Sequence, residues 1–189
     1  MAFYPGSEKE RRIPADRLSV RVRDLFVACG MLPEDALTVA ESLVDADLQG
    51  IHSHGVLRVP DYVAKLRTGG VEPRGRPQTV SAKGGAVVVD GGNAMGQVVA
   101  RHAMGEAIAR ARDSGVAFVA ARGSNHCGAM DRWARMALGE GQIGIAATNA
   151  IPTMAPWGGI DKIVGINPLA IAIPAGERPP LVMDFAFGA

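Results

Sequence analysis

The hydrophobic period of this sequence changes at Gly69-Gly70, and that change restricts the folds that the chain can adopt. Before these glycines, apolar side chains recur at the spacing of one face of an α-helix. After them, short apolar runs alternate with further helical stretches, which is the pattern of strand–helix units. The pattern predicts an α/β protein with an N-terminal helical subdomain at 16–76 and a mixed-sheet α/β domain at 77–189. Residues 1–15 are predicted to be a flexible leader.

Helices are predicted before the glycine pair, and each has start and stop residues of the expected kind. Gly30 stands where a C-terminal cap belongs, and Pro33 suits the first turn of the next helix. The third helix is entered around Pro60. The predicted helices run from Pro14 to Gly30, from Pro33 to Gly50 and from Val59 to Leu66.

The rest of the sequence predicts short strands separated by turns and helices. Thr79–Ala82 and Ala86–Asp90 flank the turn signal Lys83-Gly84-Gly85 and therefore predict a β-hairpin. A long amphipathic helix is predicted over 96–114, and a shorter helix over 129–138. Further strands are predicted at 116–121, 143–148, 169–173 and 181–184.

Charge and cysteine content exclude several functional classes. The chain carries 20 Lys and Arg against 19 Asp and Glu, so its net charge of +1 provides no basic surface for nucleic acid or an anionic membrane. No apolar run approaches the roughly 20 residues of a membrane-spanning helix. Cys29 and Cys127 form neither a disulfide framework nor a C-x-x-C pair, which indicates a reducing compartment. The prediction is a soluble cytoplasmic protein.

The segment GIHSHGVLRVPDY, residues 50–62, is the first candidate for chemistry. His54 and Arg58 are close in sequence, so a helix beginning near Gly55 would place them on one face. The guanidinium can hold a substrate carboxylate through two hydrogen bonds, and the imidazole can exchange a proton with the adjacent oxygen. This pair suits a 2-keto or 2-hydroxy acid. The neighbouring cation is expected to disfavour the imidazolium, which leaves His54 as a proton acceptor near neutral pH.

Other interpretations of this segment remain open. His54 can cap a backbone carbonyl in a loop while Arg58 forms a surface ion pair. A hydrolase triad on Ser53 and His54 is not favoured, because adjacent side chains rarely face each other. A metal site is not favoured either, because no suitable third ligand lies at a short spacing. A metal hydrolase built from His52, His54 and His126 would contain stoichiometric zinc.

The segment GSNHCG, residues 123–128, is the second candidate because it lies between a predicted strand and a predicted helix. Loops in this position bind ligands in open α/β sheets, and glycines beside a helix start offer backbone N–H groups to an anion. Asn125 and His126 are therefore candidate ligand-binding residues, although an ordinary strand–helix connection would also explain them. Cys127 is expected to be a packed side chain rather than a nucleophile.

Polar residues at strand ends within 148–159 and 165–176 are the third candidate, and strand termination is their favoured interpretation. No common nucleotide-binding fingerprint accompanies them. No G-x-G-x-x-G follows a predicted strand, and G-x-x-x-x-G-K-[ST] is missing from the sequence. The G-x-S-x-G motif of hydrolases is missing too. A dinucleotide would therefore have to bind by another scheme.

Four strings in the sequence, taken in order, resemble one enzyme family. They are GIHSHGVLRVPDY, GSNHCGAM, TNAIPTMAPWGG followed by GINPLAIAIP, and VMDFA. The chain resembles the malate/L-lactate dehydrogenase-like oxidoreductases, a non-Rossmann family that includes ureidoglycolate dehydrogenase, 2,3-diketogulonate reductase, sulfolactate dehydrogenase and cyclic-imine reductases. The resemblance implies a nucleotide-binding domain of non-Rossmann type. It also implies an interconversion, dependent on NAD or NADP, of a small 2-hydroxy acid with its 2-keto acid, or reduction of a related imine acid.

The resemblance further implies roles for individual residues. The S-H-G histidine, here His54, is the proton donor in some members, whereas ureidoglycolate dehydrogenase assigns the acid/base role to the later histidine, here His126. Both are expected to be catalytic, with His54 ranked first. Arg58 matches the position that holds the substrate carboxylate, with Ser53 beside it. The expected cofactor contacts are Asn149, Ala150, Asp184, Phe185 and Ala186, together with Asn125 from the glycine-flanked loop.

The end of the sequence departs from the family pattern. Where relatives continue with Ser- and Thr-rich residues, this chain reads FAFGA and stops at Ala189. Family members are longer, so the cofactor-binding domain is expected to be truncated at its C-terminus. A non-catalytic truncated relative, acting only as a folded or dimerising fragment, is the alternative to an active dehydrogenase. The resemblance also implies a homodimer, but it identifies neither the acid nor the choice between NAD and NADP.

Overall fold

The computed structural model describes residues 12–187. The α-helices are α1 (Ala15–Ala28), α2 (Pro33–Leu48), α3 (Val59–Arg67), α4 (Gly96–Ser114) and α5 (Asp131–Arg135). The strands are β1 (Gln78–Lys83), β2 (Ala86–Asp90), β3 (Phe118–Arg122), β4 (Gly144–Ala147), β5 (Leu169–Ala175) and β6 (Arg178–Phe185). Short 3-10 turns cover His52–His54, Val56–Arg58 and Met136–Glu140. Most of the predicted leader, residues 1–11, lies outside the described residues. Over the described part of the chain, no helix combines the length and apolar character needed to cross a bilayer.

The predicted helices α1, α2 and α3 are confirmed, and their apolar faces share one core. Phe26 and Leu43 are completely buried, and Tyr62 brings α3 into the same cluster. Burying a side chain such as Phe26 or Leu43 contributes about 1.5–3 kcal/mol. Met95 packs into this core from the residue before α4. The start of α4 is therefore held against the helical region.

The predicted hairpin is confirmed, because β1 and β2 pair antiparallel. β2 also pairs in parallel with β3, which gives a sheet in the order β1-β2-β3. A parallel pair requires a long crossover connection, and α4 supplies it. β3 begins at Phe118 rather than at the predicted Val116. The loop 123–128 follows directly after the end of β3 in this sheet.

β4, β5 and β6 form a second sheet in which neighbouring strands are antiparallel. The mixed sheet expected from the sequence is thus divided, within residues 12–187, into one mixed and one antiparallel sheet. A local pattern identifies a strand but does not specify the strand with which it pairs. The register aligns Ala147 with Leu169 and Leu169 with Phe185. The segments that follow β4 and β6 therefore lie at the same end of this sheet.

The helix predicted over 129–138 is shorter than expected. α5 ends at Arg135, and the chain continues as a 3-10 turn. Gly141 ends that turn in the left-handed conformation (φ 67°), which glycine adopts without a steric penalty. Trp133 is buried on α5, and its Nε1 donates to the Cys127 carbonyl oxygen at 3.0 Å. The short helix therefore still anchors the glycine-rich loop.

Candidate active site

Two segments that are distant in sequence meet beside α3 and form the candidate active site. The 3-10 turns of residues 52–58 contribute His54 and Arg58, and the loop 123–128 contributes His126. The rings of His54 and His126 are stacked, with centroids 5.5 Å apart and an interplanar angle of 26°. The Arg58 guanidinium lies close enough to both rings to lower the pKa of each. The structure thus brings together the three side chains that the sequence selected for proton exchange and carboxylate binding.

The local structure of residues 52–58 differs from the prediction. Helical structure begins directly after Gly55, as predicted, but its first turn is the 3-10 turn Val56–Arg58 that leads into α3, and His54 lies in a separate 3-10 turn before Gly55. The Asp47 carboxylate accounts for the break. Its Oδ1 pairs with His52 Nδ1 at 2.9 Å, and its Oδ2 accepts the Val56 N–H at 2.9 Å. A side chain at Gly55 would collide with this carboxylate, so Asp47 determines the path of the turn from its position on α2.

Arg58 folds back over the turn that carries His54. Its Nε donates to the Ser53 carbonyl oxygen at 2.6 Å, and its Nη1 lies 3.4 Å from the Asp61 carboxylate. The side chain is 38% exposed, so a ligand can reach the guanidinium. The proximity of Arg58 to His54 therefore arises from this backbone hydrogen bond and not from a shared helical face.

Ser53 and His54 contact each other, contrary to the expectation for adjacent side chains. Ser53 Oγ lies 2.9 Å from His54 Nδ1. The expectation is wrong because the serine side chain is short and Nδ1 is the ring nitrogen nearer the backbone, so the two atoms meet locally. A hydroxyl can donate to a bare Nδ1 or accept from Nδ1–H. His54 can therefore keep this hydrogen bond in either protonation state.

His126 has different partners at its Nδ1. Tyr62 Oη lies 2.5 Å from this nitrogen, and the Gly128 backbone N–H donates to it over 3.4 Å. Tyr62 is buried and accepts a hydrogen bond from Gln97 Nε2 at 3.1 Å. Sequence analysis missed both Tyr62 and Gln97. Tyr62 could have been found because it lies one helical turn beyond Arg58 in the same motif, whereas no local signal marks Gln97.

Burial and neighbouring cations favour the neutral form of both histidines. Burial is the main cause of the lowered His54 pKa, Arg58 adds to it, and the Asp184 carboxylate opposes it. For His126, burial followed by His54 and Arg58 lowers the pKa to about 4, although part of the ring remains exposed. The predicted effect of Arg58 on His54 has the right direction, but desolvation is the larger cause.

Burial also controls the other titratable groups beside His126. It raises the pKa of the Tyr62 hydroxyl, so the phenol stays protonated at neutral pH. It raises the pKa of the Cys127 thiol to about 11, and the Sγ atom lies 3.4 Å from Met130 Sδ. The expectation that Cys127 is a packed side chain rather than a nucleophile is confirmed.

Asn125 anchors the loop 123–128 to the start of α4. Its Nδ2 donates to the Ala94 carbonyl oxygen at 3.0 Å. Gly96 permits the close approach of helix and loop, because a Cβ there would collide with the carbonyl oxygens of Asn125 and His126. The placement of His126 therefore depends on the first residues of α4. A cofactor contact at Asn125 stays a prediction.

The other segments expected to contact a cofactor converge at one end of the second sheet. Asn149-Ala150 follows β4, while Asp184 and Phe185 end β6 and Ala186 follows it, on either side of the start of β5. Asp184 Oδ2 accepts the Asp131 N–H at 2.9 Å, and its charge partly opposes the lowering of the His54 pKa. This end of the sheet is therefore close to the histidine pair. The structure thus shows Asp184 binding the first turn of α5, and its contact with a cofactor stays a prediction.

The exposed groups at this sheet end are compatible with a nicotinamide. Asn149 exposes its side chain, and Phe185 exposes part of an aromatic ring. An amide and an aromatic face are groups that can bind a planar ring bearing a carboxamide. The Ala150 N–H is already used, because it donates to Asn167 Oδ1 at 2.9 Å. The chemistry of these residues fits the cofactor class, and contact with it stays a prediction.

Metal binding has no support in the described residues. Within residues 12–187, no group of three or more His, Cys, Asp or Glu side chains is arranged to hold a metal ion. His52, which the metal-hydrolase interpretation required, pairs with the Asp47 carboxylate.

Comparisons with known proteins identify the family to which this sequence is similar. The profile of the malate/L-lactate dehydrogenase family matches residues 13–189. Malate dehydrogenase of Pyrococcus horikoshii is 42% identical over 175 residues, which cover 93% of this chain and 48% of that protein. L-Sulfolactate dehydrogenase of Methanocaldococcus jannaschii is 40% identical over 163 residues, which cover 86% of this chain and 47% of that protein.

The fold is similar as well. A solved structure of malate dehydrogenase from Pyrococcus horikoshii matches with a TM-score of 0.90 at 41% identity, covering 93% of this chain and 50% of that chain. The chain therefore spans about half the length of the relatives that it matches.

Proposed function

Because this chain belongs to the malate/L-lactate dehydrogenase family, we propose that it carries the substrate-binding and acid/base groups of an NAD- or NADP-dependent oxidoreductase. The proposed reaction interconverts a small 2-hydroxy acid and its 2-keto acid. Malate and sulfolactate, the acids that give two relatives their names, belong to this class. The observation that carries the proposal is the stacked pair of His54 and His126 with Arg58 beside it.

Arg58 is proposed to hold the substrate carboxylate. A guanidinium presents paired N–H groups that match a carboxylate, whereas an ammonium does not. Arg58 uses Nε for the Ser53 carbonyl oxygen, which orients its remaining N–H groups. Its pair with Asp61 is long and exposed, and such pairs contribute little, so a substrate carboxylate can replace Asp61. The Ser53 hydroxyl is a second proposed substrate contact.

His54 is proposed to exchange the proton of the substrate hydroxyl group. When the acid is oxidised, neutral His54 accepts the hydroxyl proton on Nε2, and in the reverse direction it returns the proton. The Ser53 hydroxyl keeps its hydrogen bond to Nδ1 in both states. A carboxylate bound at Arg58 offsets one cause of the lowered His54 pKa, so substrate binding favours proton uptake. The nicotinamide, when bound, supplies or accepts the hydride.

His126 is proposed to donate a hydrogen bond from Nε2–H to the same substrate oxygen. Its Nδ1 accepts from the Gly128 N–H, which leaves Nε2 to carry the hydrogen of the neutral ring. A proton on His54 further disfavours a proton on His126. The two histidines therefore have different proposed roles. His54 changes its protonation state, and His126 stays a neutral hydrogen-bond donor that polarises the substrate carbonyl group.

The proposed cofactor contacts are Asn125, Asn149, Ala150, Asp184, Phe185 and Ala186. Their support is spatial, because most of them lie at the sheet end beside His54. The proposal leaves both NAD and NADP as candidates.

The proposed function is tested by titrating the purified chain with NADH and with NADPH while following cofactor fluorescence. The same protein is then assayed for oxidation of the bound cofactor by the 2-keto acids that correspond to malate, sulfolactate and lactate. We expect binding of one cofactor and turnover of at least one acid. A chain that unfolds cooperatively on heating but neither binds a cofactor nor turns over an acid would reject the proposal and support the non-catalytic alternative.

A further inference from the structure

Gln97 is a polar side chain buried completely at the start of α4 (0% exposed). A buried amide is unfavourable unless it is hydrogen-bonded. Its Nε2 donates to Tyr62 Oη at 3.1 Å, but its Oε1 has no hydrogen-bond partner within the described residues. An unpaired buried carbonyl lowers stability, so its presence calls for an explanation other than packing.

The donor from Gln97 determines the direction of a hydrogen-bond chain. Because Tyr62 Oη accepts from Gln97, its own hydrogen is free to point at His126 Nδ1, 2.5 Å away. The Gly128 backbone N–H points at the same nitrogen. A backbone N–H cannot reverse its role, so this long contact favours Nδ1 as an acceptor, and the hydrogen bond from Gln97 favours the same direction through Tyr62. The opposite direction would set Nδ1–H against the Gly128 donor.

We propose that Gln97 is a positioning residue that, through the Tyr62 hydroxyl, holds His126 in the tautomer with hydrogen on Nε2. This inference rests on the proposed function, because the group that Nε2–H serves is the substrate oxygen. Gln97 itself touches only Tyr62 in this chain of hydrogen bonds. Its hydrogen bond fixes the direction of the Tyr62 O–H group, which would otherwise rotate.

Glutamine suits this position better than its nearest analogues. An ionised glutamate has no N–H, so it would accept from the Tyr62 hydroxyl and leave the phenol oxygen to accept from His126 Nδ1–H. That change would reverse the chain and move the ring hydrogen away from Nε2. Methionine has a similar shape but donates nothing, so the Tyr62 hydroxyl would lose its fixed direction. The substitutions Gln97→Glu and Gln97→Met therefore distinguish an effect on the direction of the hydrogen-bond chain from an effect on packing.

The tautomer is measured directly by 15N NMR of histidine side chains, without cofactor or substrate. We expect the wild-type chain to show His126 with hydrogen on Nε2. A buried glutamate can have a pKa of about 8–9, so Gln97→Glu spectra are recorded above that range. There we expect the hydrogen on Nδ1, and for Gln97→Met a mixture of the two tautomers. Gln78→Glu, an exposed glutamine on β1, adds the same charge and should leave the tautomer unchanged.

Kinetics and thermal unfolding complete the test. Losing a group that orients a histidine typically lowers activity by about 10–100-fold, and we expect such a fall in kcat for both variants with little change in KM. Gln97→Met should melt no lower than wild type, because it removes the unpaired carbonyl. A residue needed only for packing would instead lower the melting temperature and leave the tautomer as it was.

Several results would overturn the inference. Wild-type His126 carrying its hydrogen on Nδ1 would do so, as would Gln97→Met that keeps both the wild-type tautomer and the wild-type kcat. The tautomer is measured in the protein without substrate or cofactor. A wrong tautomer therefore contradicts only the inference on Gln97, whereas a lack of turnover in the wild-type chain contradicts the proposed function. If Gln97→Glu does not fold, the tautomer and the kcat of Gln97→Met still test the inference.

Discussion

His54 and His126 are chemically the same group, and their environments give them different properties. The Ser53 hydroxyl at His54 Nδ1 can reverse its hydrogen bond, whereas the Gly128 N–H at His126 Nδ1 cannot. Burial is the leading cause of the lowered pKa at both rings. We therefore expect one histidine to gain and lose a proton during turnover while the other stays neutral.

Replacing either histidine with asparagine should lower turnover by about 10²–10⁴-fold, the usual contribution of a positioned acid/base group. In the oxidation direction, which requires neutral His54, His54→Asn should also lose the acid limb of the pH–rate profile, and His126→Asn should retain it. Steady-state kinetics across pH and circular dichroism of each variant check this. His102→Asn, further along α4, controls for loss of an imidazole. Full activity in both site variants would contradict the assignment.

Arg58→Lys should raise the KM for the 2-keto acid at least tenfold, because an ammonium cannot make the two-point contact of a guanidinium. The fall in kcat should be smaller, since the lysine does not remove the proton-exchanging histidine. Initial-rate kinetics over a range of acid concentrations measure both constants. Arg67→Lys, on the exposed part of α3, is the matched control. An unchanged KM for every acid tested would contradict carboxylate binding by Arg58.

The stability of the folded chain should depend on pH through His126. Unfolding returns its pKa from about 4 to 6.5, so between these values the unfolded chain binds more protons. The contribution of His126 to stability is therefore constant above 6.5 and is lost as the pH falls towards 4. Thermal melts across this range measure the decline, which should be smaller for His126→Asn. An equal decline in both proteins would be inconsistent with the lowered pKa.

At the scale of secondary structure, α4 links His126 to the rest of the fold. Met95 fixes its start in the helical core, and Gln97 reaches Tyr62 on α3. Gly96 lies against the loop that carries His126, where no side chain can be accommodated. The helix therefore positions the site through its first turn. Its long amphipathic pattern predicts the helix but not this function of its N-terminal end.

Gly96→Ala should test this role of α4. The added Cβ meets the backbone oxygens of Asn125 and His126, which cannot rotate away, so we expect a stability loss of about 1–3 kcal/mol and lower turnover. Gly105→Ala on the same helix points into open space and should stabilise by about 0.5–1 kcal/mol. Urea unfolding measures both. Equal effects of the two substitutions would contradict the packing argument.

The boundaries of most elements follow from local pattern. Apolar spacing and the flanking residues Gly30 and Pro33 predict α1 and α2, and Lys83-Gly84-Gly85 predicts the turn of the hairpin. The prediction that His54 and Arg58 share one helix is wrong, because they lie in two separate 3-10 turns and the Asp47 carboxylate binds the Val56 N–H between them. That interaction joins two elements, so a window of neighbouring residues does not contain it.

At the scale of the whole molecule, apolar side chains are exposed on strands of both sheets. Phe118 on β3 is 72% exposed and Ile145 on β4 is 60% exposed. Exposed apolar groups of this kind often mark contact surfaces. The chain also spans only about half the length of its matched relatives. The exposed apolar groups on β3 and β4 are consistent with further contacts for these surfaces.

We propose a homodimer as the assembly and expect the purified chain to sediment at twice its monomer mass. Sedimentation velocity at a low and a high protein concentration checks this. Ile145→Asp, on the exposed face of β4, should shift the chain towards monomer if that surface takes part, and Val80→Asp on β1 is the comparison for the first sheet. A monomer at both concentrations would contradict the proposal.

Local sequence alone determined the helices α1 to α4, the hairpin, the identity of the family and the residue types that carry the proposed chemistry. These depend on the spacing of side chains along the chain and on short motifs, which the sequence displays directly. Only the tertiary structure decided that the strands form two sheets, that His54 stacks on His126, and that Tyr62 and Gln97 support His126. These features arise when segments far apart in sequence bury surface against each other, and burial is also the main cause of the altered pKa values.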